Sequence, residues 1–208
     1  MSANFDRVAP FYDRLAQWVF GDFIRASQAY FLKEIRQGSK VLILGGGTGN
    51  ILQDLDQLAR QMQVTYLESS GEMLRLSREK LPFKFLSVRF IQGTEKNIPP
   101  GEFDVVITAF FLDVFDESKL PEIMETLYDH LANGGIWLQT DFTRTRVPWQ
   151  RLLVKGMYLF FRVFTNLPGK KLLDFSSRFS QFNLKMKAYH HFFSNMIMTV
   201  IYEKDAGR

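Results

Sequence analysis

Between Lys40 and Asp141, short continuous apolar runs alternate with longer stretches whose apolar residues recur every three or four positions. The short runs are Val41–Leu44, Val64–Leu67, Val88–Gln92, Phe103–Thr108 and Ile136–Asp141, each too short for a helix and flanked by glycine or charge, so each predicts a strand. Between them, Ile51, Leu52, Leu55, Leu58, Ala59 and Met62 share one helical face, as do Met73, Leu74, Leu76 and Leu81. A third face gathers Leu120, Ile123, Met124, Leu127 and Leu131, with Asp116 as the expected cap, Pro121 in the first turns and Gly134 and Gly135 as the expected stop. Regular alternation of strand and helix predicts an α/β fold with a doubly wound, mostly parallel sheet. Two helices, around Asp13–Phe20 and Phe23–Arg36, precede it. Leu184–Glu203 alternates as two strands joined near Ser194 and Asn195, an antiparallel hairpin that brings the sheet to seven strands.

The chemistry gathers where the first strand ends. Gly45, Gly46, Gly47 and Gly49 follow Leu44 directly, so the backbone turns sharply and leaves room for a close ligand. Strand, glycine turn and helix make a nucleotide-binding opening. A dinucleotide fingerprint would need a third glycine at position 50, which is Asn50; the third glycine comes one residue early, at Gly49. Glu68 ends the second strand 19 residues past Gly49, close to the spacing of about 20 at which a carboxylate meets ribose hydroxyls. Ser69 and Glu72 have capping-box spacing and place a helix start immediately after Glu68. Ligands of such sheets bind at the carboxyl ends of the strands, where the Gly45 loop, Glu68, Thr94, Ala109 and Asp141 are expected to converge.

Composition narrows the classes. The chain has 208 residues, 46% of them hydrophobic, which suits one domain with a real core. It has no cysteine, which excludes disulfides and thiolate metal sites, and three histidines are too few to suggest a metal centre. No signal-peptide pattern and no membrane-spanning run is legible, so the cytoplasm is the expected compartment. The net charge of +4 is unevenly placed: residues 1–141 hold 14 basic against 19 acidic side chains, residues 142–208 hold 12 against 3. A basic tail suits an anionic partner such as a phospholipid surface; no nucleic-acid recognition module is legible, so nucleic acid is not an expected partner.

The loop GGGTG, Glu68 with the helix after it, and FDVVITAFFLDVF together resemble the motifs of the class I S-adenosylmethionine (SAM) dependent methyltransferases. FDRVAPFYD resembles the N-terminal signature of the ubiquinone and menaquinone biosynthesis type within that family. The resemblance covers roughly residues 5–141 and resumes at the final hairpin. It implies a Rossmann-like methyltransferase fold, with residues 1–38 as a helical cap and 142–181 as a substrate or lid insertion in one domain of residues 1–208. It also implies that SAM is the cofactor. The residues it assigns to SAM are Tyr12, Gly45, Gly46, Gly47, Thr48 and Gly49, then Glu68, Ser69 and Met73, then Thr94 or Glu95 at the adenine, and Ala109 and Phe110 beside the sulfonium. One departure is Ile43, where many relatives carry an acid that orients the loop.

Asp113, in the loop after the fourth strand, and His190, beside His191 before the last strand, are the candidate acid–base groups. Pro148 opens a helix, residues 149–164, in which Arg151, Lys155 and Arg162 fall within an arc of roughly 40° at about 100° per residue. Trp149, Leu152, Leu153, Met157, Leu159, Phe160, Phe161 and Phe164 are expected on the opposite side of the helix. That helix suits a lid over an apolar acceptor or a peripheral contact with a membrane surface. Leu167–Lys171 reads as a turn. The expected activity is methyl transfer from SAM to a small apolar or aromatic acceptor, resembling a quinone precursor or a lipid. Two alternatives stand beside it: a non-catalytic protein of the same fold that binds a membrane or other anionic partner through its tail, and a nucleotide-dependent oxidoreductase.

Overall fold

The computed structural model describes residue 6 and residues 9–143, 145, 147–165 and 175–206. Two helices, α1 (Ala9–Phe20) and α2 (Phe23–Ala29), lead into the sheet. Then β1 (Lys40–Leu44), α3 (Asn50–Asp56), β2 (Met62–Glu68), α4 (Gly71–Arg78), β3 (Leu86–Gln92) and β4 (Phe103–Ala109) alternate. They are followed by α5 (Leu120–Asp129), β5 (Leu131–Phe142), α6 (Pro148–Thr165), α7 (Phe175–Phe179) and the pair β6 (Leu184–Phe192) and β7 (Ile197–Lys204). The seven strands stand in the order β3-β2-β1-β4-β5-β7-β6. All pair in parallel except β7, which runs antiparallel to both β5 and β6. The expected doubly wound sheet with its antiparallel hairpin is therefore the fold observed.

Successive residues of a strand face opposite sides of a sheet, and here both sides are covered. Val41 and Ile43 of β1, Val64 and Tyr66 of β2 and Val105 and Ile107 of β4 pack with α3 in one core layer. Leu42, Leu44, Leu67, Val106 and Trp137 pack with α5 and α7 in the other. This is why the strands read as unbroken apolar runs. The chain winds from β1 outward to β3, then crosses to β4 on the other side of β1, so the connections diverge above the carboxyl ends of β1 and β4.

Several boundaries differ from the sequence reading, for local reasons. The helix α3 ends at Asp56: Ala59 takes a left-handed φ of 55°, and Met62 opens β2 instead of closing the helix. The second helix stops at Ala29, with a short 3-10 turn at Leu32–Glu34. The α4 cap is Ser70, whose hydroxyl accepts from Met73 N–H, while Ser69 turns its hydroxyl toward Glu68. Asp116 does not cap α5; the helix begins at Leu120 after Lys119, and Asp116 contributes only its carbonyl, which accepts from Lys119 N–H. Gly134 and Gly135 do not stop that helix. They lie within β5 where its register against β4 shifts, and a Cβ on Gly135 would crowd the carbonyls of Ala132 and Asp104.

The short α7 was not legible as a helix. Phe179 carries it: this ring stacks on Tyr202 at 4.1 Å and meets Trp137 edge-on at 4.9 Å. On α6 the apolar residues divide. Gln150 and Val154 are buried and Leu153 and Met157 partly so, but Trp149, Leu152 and Leu159 are 51, 72 and 63% exposed. The face toward the protein is thus centred on Val154, and Leu152 and Leu159 share the outer face with Lys155. Phe5 and the Leu167–Lys171 turn lie outside the described residues.

Candidate functional site

A cavity of about 1040 Å³ opens above the carboxyl ends of β1, β2 and β4. Its floor is the glycine turn, through Gly45, Gly46, Gly47 and Thr48. One side is the end of β2 and the start of α4, through Ser69 and Met73, with Thr94 and Glu95 beyond. Another is the end of β4, through Ala109, Phe110, Phe111 and Phe115. The helix α1 closes the top with Tyr12, Asp13 and Ala16.

The glycine turn is held by its neighbours. Gly47 has φ of +64°, a conformation L side chains resist, and its N–H donates to Glu68 Oε2 at 3.0 Å while its carbonyl accepts from Tyr66 O–H at 2.9 Å. A Cβ on Gly46 would overlap the Tyr66 ring, and one on Gly49 would meet Ser77 Cβ at 2.7 Å. The glycines at 46 and 49 therefore serve close packing within the protein. Ile43, at the position where many relatives carry an acid, is 2% exposed in the core, and the N–H of Gly47 is satisfied by Glu68.

Glu68 itself is 4% exposed and does not line the cavity; besides Gly47, its carboxylate accepts from Ser70 N–H at 2.8 Å and Ser69 hydroxyl at 3.3 Å. Burial raises its carboxyl above the ordinary range, and the N–H groups of Ser70 and Gly47 partly offset that. Thr94 lines the cavity and also caps the turn Glu95–Asn97, where its hydroxyl accepts from Lys96 N–H.

The lid is tied down by two hydroxyl–carboxylate contacts. Thr48 Oγ1 donates to both oxygens of Asp13 at 2.9 and 2.8 Å, and Ser70 Oγ donates to Asp6 Oδ1 at 2.6 Å. Neither acid was singled out from the sequence; the one signal was their place within FDRVAPFYD, seven residues apart.

Asp113 and Asp141 meet behind the cavity wall. They are 6 and 1% exposed, act on each other directly, and Asp113 Oδ1 and Asp141 Oδ2 have no hydrogen-bond partner among the described residues. Burial pushes Asp113 up to about 6, and burial with the neighbouring Asp113 carboxyl pushes Asp141 up as well. Tyr12 is raised too, by burial first and then by Asp113, Asp13 and Glu68. His190 is elsewhere: it is exposed on β6, stacked on Tyr30 at 4.3 Å, and outside the cavity lining. A histidine on the exposed edge strand has no path to the strand ends of β1 and β4, so the structure removes it from the candidate site. Of the sequence-derived residues, Gly49, Glu68 and Asp113 support the cavity from behind, and the remaining eleven cofactor candidates line it.

Residues 41–135 match the model of the methyltransferase domain family. The chain is similar to ubiquinone/menaquinone biosynthesis C-methyltransferases. With that of Azotobacter vinelandii it shares 26% identity over 177 residues, covering 82% of this chain and 68% of the relative. With that of Psychromonas ingrahamii it shares 32% over 115 residues, covering 52% of this chain and 45% of the relative. The chain thus spans between about half and two thirds of the length of these relatives. In fold it is similar to magnesium protoporphyrin IX methyltransferase of Synechocystis with bound S-adenosylhomocysteine (SAH), with a TM-score of 0.72, 14% identity and coverage of 97 and 96% of the two chains. It is also similar to the methyltransferase bound to the activator Trm112 in Haloferax volcanii, with a TM-score of 0.71, 14% identity and 99% coverage of both chains.

Proposed function

We propose that this chain, which carries a class I, SAM-dependent methyltransferase domain resembling the ubiquinone/menaquinone C-methyltransferases, methylates a small apolar or aromatic acceptor. The observation that carries the reading is the division of the cavity. One half is bounded by the glycine turn and the polar edge of β2, and the other by Phe110, Phe111 and Phe115. At about 1040 Å³ it is at the upper end of small-molecule sites, large enough for a nucleoside cofactor and a modest second ligand together.

The residues fit SAM. The turn leaves open space over Gly47, Ser69 and Met73 line the cavity where they would meet a ribose and adenine, and Thr94 and Glu95 would close the adenine end. In this assignment Glu68 holds Gly47 and Ser70 in place and presents the edge that a ribose meets, while Tyr12 covers the amino-acid end from above. Bound SAM would supply a sulfonium-activated methyl group with its own leaving group, so the protein's contribution is alignment more than acid–base chemistry. Phe110 and Phe111 orient and dry the acceptor side.

Titration calorimetry with SAH tests the cofactor assignment without an acceptor. Saturable one-site binding is expected, with Glu68→Ala weakening it about tenfold or more through the lost loop contacts. Unchanged affinity in that variant would remove the assignment's main support. Transfer of labelled methyl from SAM to a panel of quinols, phenols and lipids then identifies the acceptor.

The outer ridge of α6 favours a peripheral location. Trp149, Leu152 and Leu159 project outward beside Arg151 and Lys155, within residues 142–208, the part of the chain with a basic excess. Apolar side chains flanked by cations suit the headgroup region of an anionic bilayer, where an apolar acceptor would also be found.

A further inference from the structure

Among the described residues no counter-charge acts on the Asp113–Asp141 pair. The influences on the two carboxyls are burial, each other, Gln139 and the backbone near them; no lysine, arginine or histidine is among them in the described residues. Tyr12 of α1 is acted on by Asp113, Asp13 and Glu68; the bases nearby are Arg25, Lys96 and Lys119, which line the cavity, and Lys80, on which Asp13 acts. Two buried carboxyls with an unpartnered oxygen on each are costly unless a proton or a cation sits with them. The pair is flanked in sequence by the cavity residues Phe110, Phe111 and Val114, at the ends of β4 and β5.

Resting on the cofactor assignment above, we infer that Asp113 and Asp141 form a shared-proton site that reads the charge of the ligand: it gives up its proton when the cationic cofactor binds and keeps it with the neutral product. SAM carries one positive charge more than SAH, because demethylation turns the sulfonium into a thioether. A cation entering the cavity in front of the pair favours its ionised form, and loss of that charge on methyl transfer favours reprotonation. The consequence is discrimination: the site holds substrate cofactor more tightly than spent cofactor, by a margin that grows with pH. Glu68, which holds the glycine turn, faces a part that SAM and SAH share, so its effect cancels in the ratio of the two affinities.

Calorimetric titration of the wild-type chain with SAM, SAH and sinefungin, in buffers of differing ionisation enthalpy, reads this directly. Sinefungin carries an amino-bearing carbon in place of the sulfonium. SAM and sinefungin are expected to release a proton and SAH to release none, with the SAM-to-SAH affinity ratio climbing toward tenfold per pH unit around neutrality. In Asp141→Asn, and independently in Asp113→Asn, proton release is lost and the ratio becomes flat with pH. Equal proton release by all three ligands, or a flat ratio in the wild type, overturns the inference and leaves the cofactor assignment standing. Failure of every ligand to bind overturns both.

Discussion

Glu68 shows how one side chain can be placed by sequence and used differently by structure. Its position at the end of β2 was legible from the strand before it and the serine cap after it. Its carboxylate nevertheless points into the loop, because Gly47 and Ser70 present N–H groups that a buried acid must meet. Asp113 carries a pH signature. Its folded carboxyl is raised from 3.8 to about 6, so the folded chain keeps a proton that the unfolded chain has lost between those values. Stability of the unliganded protein therefore falls as pH rises from about 4 through about 6, by up to about 3 kcal/mol from this group. Asp113→Asn is expected to raise stability at pH 7.5 by about 1–3 kcal/mol and to flatten that decline, as measured by urea unfolding across pH. A variant less stable than wild type at pH 7.5 would contradict this account of the pair.

Among elements, α1 and α6 are the two whose roles depend on what they touch. The helix α1 lies over the cavity because Asp13 and Asp6 reach the hydroxyls of Thr48 and Ser70. Asp13→Ala removes the first tie, so amide hydrogens of α1 should exchange about tenfold faster, with β1 and β4 unaffected. Exchange at its wild-type rate would show that the Asp6 tie and apolar contacts hold α1 without Asp13. On α6, replacing Trp149, Leu152 and Leu159 together by Ser should cut co-sedimentation with anionic vesicles about tenfold or more, since three outward apolar side chains are lost. Fold should be retained in that variant, because the buried face with Gln150 and Val154 is untouched. Vesicle binding that persists unchanged would assign the ridge to another surface.

For the molecule as a whole, the site joins elements far apart in the chain: Tyr12, the turn after β1 and the ends of β2 and β4. Anything that binds there ties those parts together and stabilises the fold by mass action. SAH at 100 times its dissociation constant should add about 2.7 kcal/mol, a rise in Tm of roughly 5–10 °C for a chain of this size. Thermal unfolding with and without ligand checks it; an unchanged Tm at saturation would mean that ligand does not distinguish the folded chain. The charge of the chain is split in sequence, acidic over residues 1–141 and basic over residues 142–208.

The alternation of strands and helices, the glycine turn and the mostly parallel sheet were determined by the sequence alone, because they depend on local periodicity and on backbone freedom at named residues. Ile43, Val64 and Val106 announce buried strands by their neighbours, and Gly47 announces a turn that few other residues permit. Three things were decided only in three dimensions. The apolar face of α6 is set by which side meets Phe142 and Ile197, residues distant in sequence. The lid depends on pairing Asp13 with Thr48 across 35 positions. Asp113 and Asp141, 28 residues apart, become a buried pair only because β4 and β5 lie side by side in the sheet. Periodicity reports how a residue sits in its own element; which acid meets which hydroxyl or carboxyl is a property of packing between elements, and no local pattern encodes it.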